Sequence, residues 1–565
     1  VDKIALYQVF LRVFGNKNTT NKFYGTLAEN GTGKFADINT SCLKSIKELG
    51  ISHVWYTGVI EHATMEDFTT FGITKDHPQV VKGIAGSPYA IKDYYDVNPY
   101  LAENPENRMQ EFEELVQRTH NENLKVIIDF VPNHVARQYK SDVKPEGVVD
   151  FGENDDTNVY FSPQNNFYYI PDRHFVVPDG VNPPVLFNLE YEEFPAKATG
   201  NDVFSSEPSI NDWFETVKLN YGVDYIGGRK GHFDPVPNTW NQMLEILLFW
   251  AEKGVDGFRC DMAEMVPVEF WHWVIQKVKA KFPDVIFIAE IYNPNEYRNY
   301  IDYGKFDYLY DKVGLYDALR RLIEGHGNAM DISRVWQQES GDFAQHMLRF
   351  LENHDEHRIA SEEFGKTAES AFAAMMLSAT LHTGPVMIYG GQEFGVKPTK
   401  SEGFSGNDGR TTIFDFWALP ELQTSINDGK YSEDTIDEKT LKIRNFYREV
   451  LHFAQSNEAV THGHFHDLQY LNGFWQSEGY DERCLYSYLR YTDNQCLLFV
   501  FNFDLNNERT FRLRLPELGI GRDKPAKSKL LQVFNGNEEV ITDDQCSLDL
   551  SISPNDFKIF EIAHV

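Results

Sequence analysis

Cysteine is scarce in this chain: five residues in 565, at positions 42, 260, 484, 496 and 546. None forms a CxxC pair, so neither a thiolate metal site nor a redox dithiol is expected, and a disulfide-stapled miniprotein is excluded. The odd number leaves at least one thiol free or paired between chains. Apolar runs are short as well. The longest, such as EILLFW and VIFIA, fall far below the ~18 residues that a membrane-spanning helix needs, so they read as core segments. Positive charge is the third deficit, with 53 Lys and Arg against 85 Asp and Glu, a net charge of −32. Such a surface repels phosphate backbones and anionic lipid, which excludes nucleic acid and membrane surfaces as expected partners. It suits a neutral or cationic small molecule. Internal repeats and low-complexity tracts are also missing. What is plentiful is core material, with 42% hydrophobic and 14% aromatic residues, so the chain is not disordered.

A recurring unit does stand out: a short β-rich apolar run, a polar loop, then a helical segment. Eight strand-like runs begin at Ile4, Ile51, Leu124, Val255, Val285, Phe306, His346 and Val386. Several are apolar on successive residues, as strands buried on both faces of a parallel sheet are. Helical spacing appears over Ser41 to Leu49, from Met109 to Thr119, over Trp240 to Lys253 and over Ala368 to His382, with stops at Gly50, Gly254 and Gly384-Pro385. Eight strands alternating with helices predict a (β/α)8 TIM barrel, with a doubly wound sheet as the structural rival. Residues 135–235 break the alternation with a hundred irregular residues rich in Asn, Asp, Pro, Tyr and Phe, too many for a loop, which predicts an inserted domain after strand three. From about residue 456 the pattern becomes alternating strands with TDN and NGN turns, which predicts a C-terminal antiparallel β-sandwich. The division expected is therefore 1–134 and 236–455 for the barrel, 135–235 for the insertion and 456–565 for the sandwich.

In such barrels the functional residues sit at the C-terminal ends of the strands. Strand three ends in DFVPNH (Asp129, Asn133, His134), strand four in GFRCD (Arg259, Asp261), strand five in AE (Glu290) and strand seven in ENHDEHR (His354, Asp355). Three carboxylates, Asp261, Glu290 and Asp355, thus converge on one rim. Paired carboxylates are the equipment of glycoside hydrolysis, in which one supports or attacks the anomeric carbon and the other protonates the leaving oxygen. Arg259 and Asp261 lie two apart on a strand and face the same side. A guanidinium there is expected to keep Asp261 ionised, while the apolar VIFIA run before Glu290 is expected to raise that carboxyl. Any one acid at a strand end is as readily a cap or an ion-pair partner; three together, each flanked by Arg or His, point to chemistry.

These motifs resemble, in order and at barrel-like spacing, the four short sequence regions of the α-amylase family, glycoside hydrolase family thirteen. DFVPNH resembles the first, GFRCDMAEM the second, FIAEI the third and FLENHDEHR the fourth. The resemblance implies a retaining double displacement with Asp261 as nucleophile, Glu290 as acid/base and Asp355 as the residue that binds sugar hydroxyls. It implies that His134, Arg259 and His354 line the same subsite, and that Asp129 holds Arg259 from behind. SPYAIKDYYDVNPY resembles the segment around a sugar-stacking tyrosine, here Tyr89, and SGNDGR resembles a loop whose Asp408 and Arg410 bind the next sugar. VKLN, Val217 to Asn220, resembles a fifth region. No cofactor is implied for the chemistry. A structural calcium is implied with Asn133 among its ligands, although Met265 stands where a histidine is common in that site, and Ser87 replaces a histidine before the tyrosine.

The aromatic residues of the insertion, Tyr160, Phe161, Phe167, Tyr168, Tyr169 and Phe175, are expected to form its own core rather than sugar platforms. The activity expected is hydrolysis of α-1,4 bonds in starch, maltodextrins or related α-glucans. A transglycosylase on the same glucans uses the same residues with another acceptor. A non-catalytic glucan-binding protein is disfavoured because all three carboxylates are present. The oligomeric state is not legible.

Overall fold

The computed structural model describes residues 2–181, 187–398, 401–516 and 527–564. Each of the eight strand-like runs forms a parallel strand: β1 (Ala5–Phe10), β2 (His53–Thr57), β3 (Lys125–Phe130), β4 (Gly257–Cys260), β5 (Ile286–Ala289), β6 (Tyr308–Tyr310), β7 (Met347–Phe350) and β8 (Val386–Tyr389). They close in sequence order, β8 pairing with β1, into a barrel. The closure decides against the doubly wound sheet. Nearly every strand residue is buried, which is why these runs lack a polar alternation. Gly257 opens β4 where a Cβ would lie 2.5 Å from Ile127 and 2.6 Å from Ile286, so a larger residue would part β4 from both neighbours.

The helices follow the sequence pattern with one difference. Thr40–Glu48 is capped by Asn39, whose side chain accepts from the Cys42 N–H; Arg108–Asn121 and Asn238–Glu252 run as expected. The small-residue segment from Ala368 is shorter than its pattern: a 3₁₀ turn at Glu369–Ala371 leads into an α-helix over Phe372–Thr380.

Among its described residues the insertion contains only two- and three-residue strands. With so little regular hydrogen bonding, buried side chains must satisfy the backbone. Arg137 does this from the centre: its guanidinium bonds the Phe214 carbonyl, Thr199 Oγ1 (2.7 Å) and Glu193 (2.8 Å), and lies 3.7 Å over the Phe175 ring.

The C-terminal region is a sandwich. Its larger sheet has six antiparallel strands in the order His464–Asp467, Leu485–Tyr491, Cys496–Asn502, Asp556–His564, Ser528–Gln532, Glu539–Ile541. The smaller pairs Arg509–Arg514 with Ser547–Ile552. Period-two alternation sorts the faces: Leu485, Leu489, Leu498 and Val500 fill the space between the sheets, while Tyr486, Tyr488, Phe499 and Phe501 face the barrel core. Arg490 ties the two parts, donating to the Thr380 carbonyl at 2.7 Å.

Candidate active site

The strand register places the site. Arg259 on β4 is level with Asp129 on β3 and Ile288 on β5. Its guanidinium is fully buried and is shared among acids from three strand ends. Nη1 donates to Asp261 Oδ1 at 2.7 Å and to Asp129 Oδ1 at 3.3 Å, Nη2 lies 3.1 Å from Glu290 Oε2, and Nε donates to the Tyr310 hydroxyl at 3.0 Å. The rings of Trp55 and Tyr310 lie 5.1 and 5.2 Å from the cation, a favourable seat for a desolvated guanidinium. Asp129 is fixed in turn by Trp55 Nε1 (2.8 Å) and the Tyr89 hydroxyl (3.1 Å).

Directly after Asp261 the backbone of Met262 is left-handed (φ 42°, ψ 45°), a region that non-glycine residues rarely enter and that clusters at functional sites. This turn aims the Met262 N–H at Glu290 Oε2 (2.9 Å), and the Tyr292 hydroxyl donates to the other oxygen, Oε1. Glu290 is thus held on both oxygens. Asp261 and Glu290 share the Arg259 guanidinium, one on each terminal nitrogen.

The electrostatics differ from the sequence expectation that Arg259 keeps Asp261 ionised. Burial and the facing Glu290 push the Asp261 carboxyl well above the usual carboxylate range; Arg259 opposes this without reversing it. The reason is stoichiometric: one guanidinium serves Asp129, Asp261 and Glu290 together. Asp355 behaves oppositely. Burial raises its carboxyl, but His354, Arg259 and Arg410 outweigh that and hold it down at about 2. His354 Nε2 lies 3.2 Å from Asp355 Oδ2, and Gln8 Nε2 donates to His354 Nδ1 at 2.8 Å, which leaves the ring proton on Nε2, facing the carboxylate. Tyr89 stacks on the His354 ring with centroids 5.1 Å apart. Burial, then the Lys218 charge, push the His134 imidazole down to about 3, so it is neutral.

A pocket of about 170 Å³ opens over these groups. Tyr89, His134, Asp261, Glu290 and Asp355 line it, with Arg259 and His354 behind them. Asp408 and Arg410 do not line it; they pair with each other at 3.3 Å in a half-exposed loop, and Arg410 reaches the site through its charge on Asp355. The sequence reading missed Lys82, Trp213, Glu215, Ile413 and Phe414, which complete the wall, and Tyr292. Tyr292 stands two residues after Glu290, a spacing that could have flagged it; the others come from loops whose course only folding fixes. The insertion reaches the pocket through Trp213, Glu215 and Thr216 and through none of the six aromatic residues named for it. Four of those, Phe167, Tyr168, Tyr169 and Phe175, are buried, but Phe167 and Tyr169 join the core cluster that holds the barrel and Phe175 packs with Val80 outside the insertion.

The calcium expected at Asn133 does not fit this chain. His134 pairs with Lys218 across an antiparallel bridge, and the buried Lys218 ammonium donates to Asn133 Oδ1 and to the Met265 carbonyl (3.2 Å) and pairs with Asp202 at 2.8 Å. A lysine cation already occupies the oxygen set that a divalent ion would need.

Residues 8–185 and 234–459 match the family model described as the α-amylase catalytic domain. The interval between the two matched stretches falls within the insertion. Alpha-amylase 3 of Dictyoglomus thermophilum is 24% identical over 468 residues, 79% of this chain and 81% of its own length. Neopullulanase 2 of Thermoactinomyces vulgaris is 20% identical over 528 residues, 91% of this chain and 72% of its own. Among solved structures, the maltogenic alpha-amylase AmyB from Thermotoga neapolitana superposes with a TM-score of 0.61 at 21% identity, covering 99% of this chain and 98% of that one, which shows a shared fold. With more than half its length matched by the catalytic-domain model, this chain belongs to the α-amylase family.

Proposed function

We propose that the protein is a retaining glycoside hydrolase acting on α-1,4 bonds of starch, maltodextrins or related α-glucans, with the barrel at 1–134 and 236–455, the insertion at 135–235 and the sandwich at 456–565. The observation that carries the reading is that Asp261 and Glu290 flank one guanidinium at the pocket: Arg259 Nη1 lies 2.7 Å from Asp261 and Nη2 3.1 Å from Glu290, and both acids line the pocket with Asp355. Two carboxyls aimed at one reacting centre are what a glycoside hydrolase needs, one as nucleophile and one as acid/base.

In this reading Asp261 attacks the anomeric carbon and forms a β-glycosyl ester, while Glu290 gives its proton to the departing oxygen. Glu290 then takes a proton from water, the water oxygen bonds the anomeric carbon, and the ester releases Asp261. The pair needs one proton between two carboxyls, and the upward shift of Asp261 by burial and the facing Glu290 favours keeping one there. Asp355, ionised at every working pH, binds sugar hydroxyls and offsets positive charge on the ring at the transition state. Tyr89 offers a flat face to the pyranose, His134 offers a neutral imidazole at the pocket wall, and Asp408 with Arg410 contacts a sugar further along. The cation beside Asn133 is Lys218 rather than calcium, and no cofactor enters the chemistry. No described helix is long and apolar enough to cross a membrane.

The test is a time course of products from maltoheptaose, with Asp261→Asn alongside. Shorter oligosaccharides from the wild type and at least a thousandfold less turnover from the variant are expected. Near-normal turnover by Asp261→Asn would overturn the assignment, and products longer than the substrate would move the reading to transglycosylation.

A further inference from the structure

A second group of acids lies outside the pocket, where a hairpin between β2 and β3 meets the start of the insertion. The hairpin pairs Ile60–His62 with Ile91–Val97, and the pairing register shifts on both sides of Glu61. Such an irregularity re-aims a side chain. Glu61 lies opposite Asp93, and the backbone N–H of Asp142 donates to Asp93 Oδ2 at 3.0 Å, which brings a third carboxylate to the same place. One oxygen from each of Glu61, Asp93 and Asp142 lies within 4.8 Å of the others.

What distinguishes this group from an ordinary acidic cluster is Glu61. Its side chain is 1% exposed, and neither carboxyl oxygen has a hydrogen-bond partner. Asp142 Oδ2 is also buried without one. Two unpaired oxygens on a buried carboxylate are costly unless a cation or a proton meets them. The two buried cations nearby are committed elsewhere, and Lys140 is exposed to solvent. Lys92 bonds Asp76 and the Thr74 carbonyl (2.8 Å), and Arg108 bonds Asp96 and the Pro105 carbonyl (both 2.8 Å).

We propose that Glu61, Asp93 and Asp142 form a binding site for a divalent cation of the calcium type. The donor set is all carboxylate oxygen, which selects a hard ion over zinc or copper. Glu61 offers both oxygens, Asp93 keeps lone pairs beyond those used by the Tyr95 and Asp142 N–H groups, and half-buried Asp142 gives the ion a path in and leaves room for water ligands. Burial and the facing carboxylates push Glu61 well above the usual range, and burial pushes Asp93 up to about 7, which is the electrostatic deficit a bound cation removes. The site shares no residue with the Asn133–Lys218 pair. It joins the hairpin, whose connection carries Tyr89, to the chain entering the insertion, so its occupancy stiffens one wall of the pocket from outside.

The experiment is calorimetric titration of the whole protein, freed of metal by chelator and dialysed, with calcium chloride, alongside thermal unfolding with and without the ion. One equivalent bound with a Kd of about 10⁻⁵ M or tighter is expected, together with a rise in Tm. Glu61→Gln weakens binding at least tenfold and removes the Tm response; Asp142→Asn, at the half-exposed position, gives the same direction should Glu61→Gln fail to fold. The absence of binding and of any Tm response in the wild type at millimolar calcium overturns the proposal and leaves a shared proton to close the cluster. Unchanged binding in both variants overturns it too, since the ion would then sit elsewhere on the acidic surface.

Discussion

Replacing Lys218 by Met tests whether a lysine has taken the place of calcium beside the site. The side chain is 2% exposed, and Met preserves most of the stem, so the change removes the ammonium with little loss of volume. Two acceptors, the buried Asn133 Oδ1 and the half-buried Met265 carbonyl, lose a charged donor. Hydrogen bonds to charged groups contribute about 1.5–3 kcal/mol each, and buried acceptors left unpaired cost on that scale. The pair with Asp202 adds little, because that carboxylate is 38% exposed and solvent screens it. The two bonds share one donor and do not add fully, so the expected destabilisation is about 3 kcal/mol. Urea unfolding reads this as a lower midpoint at unchanged slope. Because Lys218 is level with His134, kcat/KM on maltoheptaose falls with it. A midpoint equal to that of the wild type would show that the ammonium is not what holds Asn133 and Met265 together.

The remaining predictions concern the acids themselves. Tyr292→Phe removes one of the three groups that fix Glu290, leaving the Met262 N–H and Arg259, and kcat should fall roughly tenfold with the Tm unchanged, the equivalent of one hydrogen bond to a charged group; an unaltered kcat would contradict the positioning. Asp355→Asn should lower kcat about a hundredfold by the same factor at pH 5 and pH 8, because Asp355 is ionised well below both; a loss that shrinks toward acid would mean that this carboxyl titrates in the working range. Burial and the facing Glu290 raise the Asp261 carboxyl well above the usual carboxylate range, which keeps a proton in the site, so kcat/KM should fall as pH rises through that titration, well above about pH 4. A pH–rate profile with no basic limb would contradict the retained proton.

Much of this was legible from the sequence. All eight barrel strands begin within two residues of their apolar runs, because strands buried on both faces need continuous apolar sequence and nothing else produces it so regularly. Asp261, Glu290, Asp355, Arg259 and His354 meet because each stands at the end of its strand, a position that topology alone fixes. The raised titration of Asp261 was not legible. It depends on Arg259 being divided among three acids, and residues 129, 259 and 290 become neighbours only when β3, β4 and β5 pair side by side. The pocket wall was equally hidden: Lys82, Trp213 and Phe414 come from three loops with no periodicity to betray them. The loss of the calcium was written in Lys218, in the middle of VKLN, but its meaning required the distance from its Nζ to Asn133. The Glu61 cluster draws on three separate segments, and only the unpaired oxygens of the folded chain reveal it.

The central claim is a double displacement through Asp261, and its most direct test is the anomeric configuration of the new reducing end. Proton NMR of maltoheptaose during the first minutes of cleavage, before mutarotation, distinguishes the two stereochemical courses. The account predicts that the α-anomer appears first and relaxes to the equilibrium mixture. The β-anomer appearing first would mean single displacement by water and would contradict the assignment of Asp261 as nucleophile.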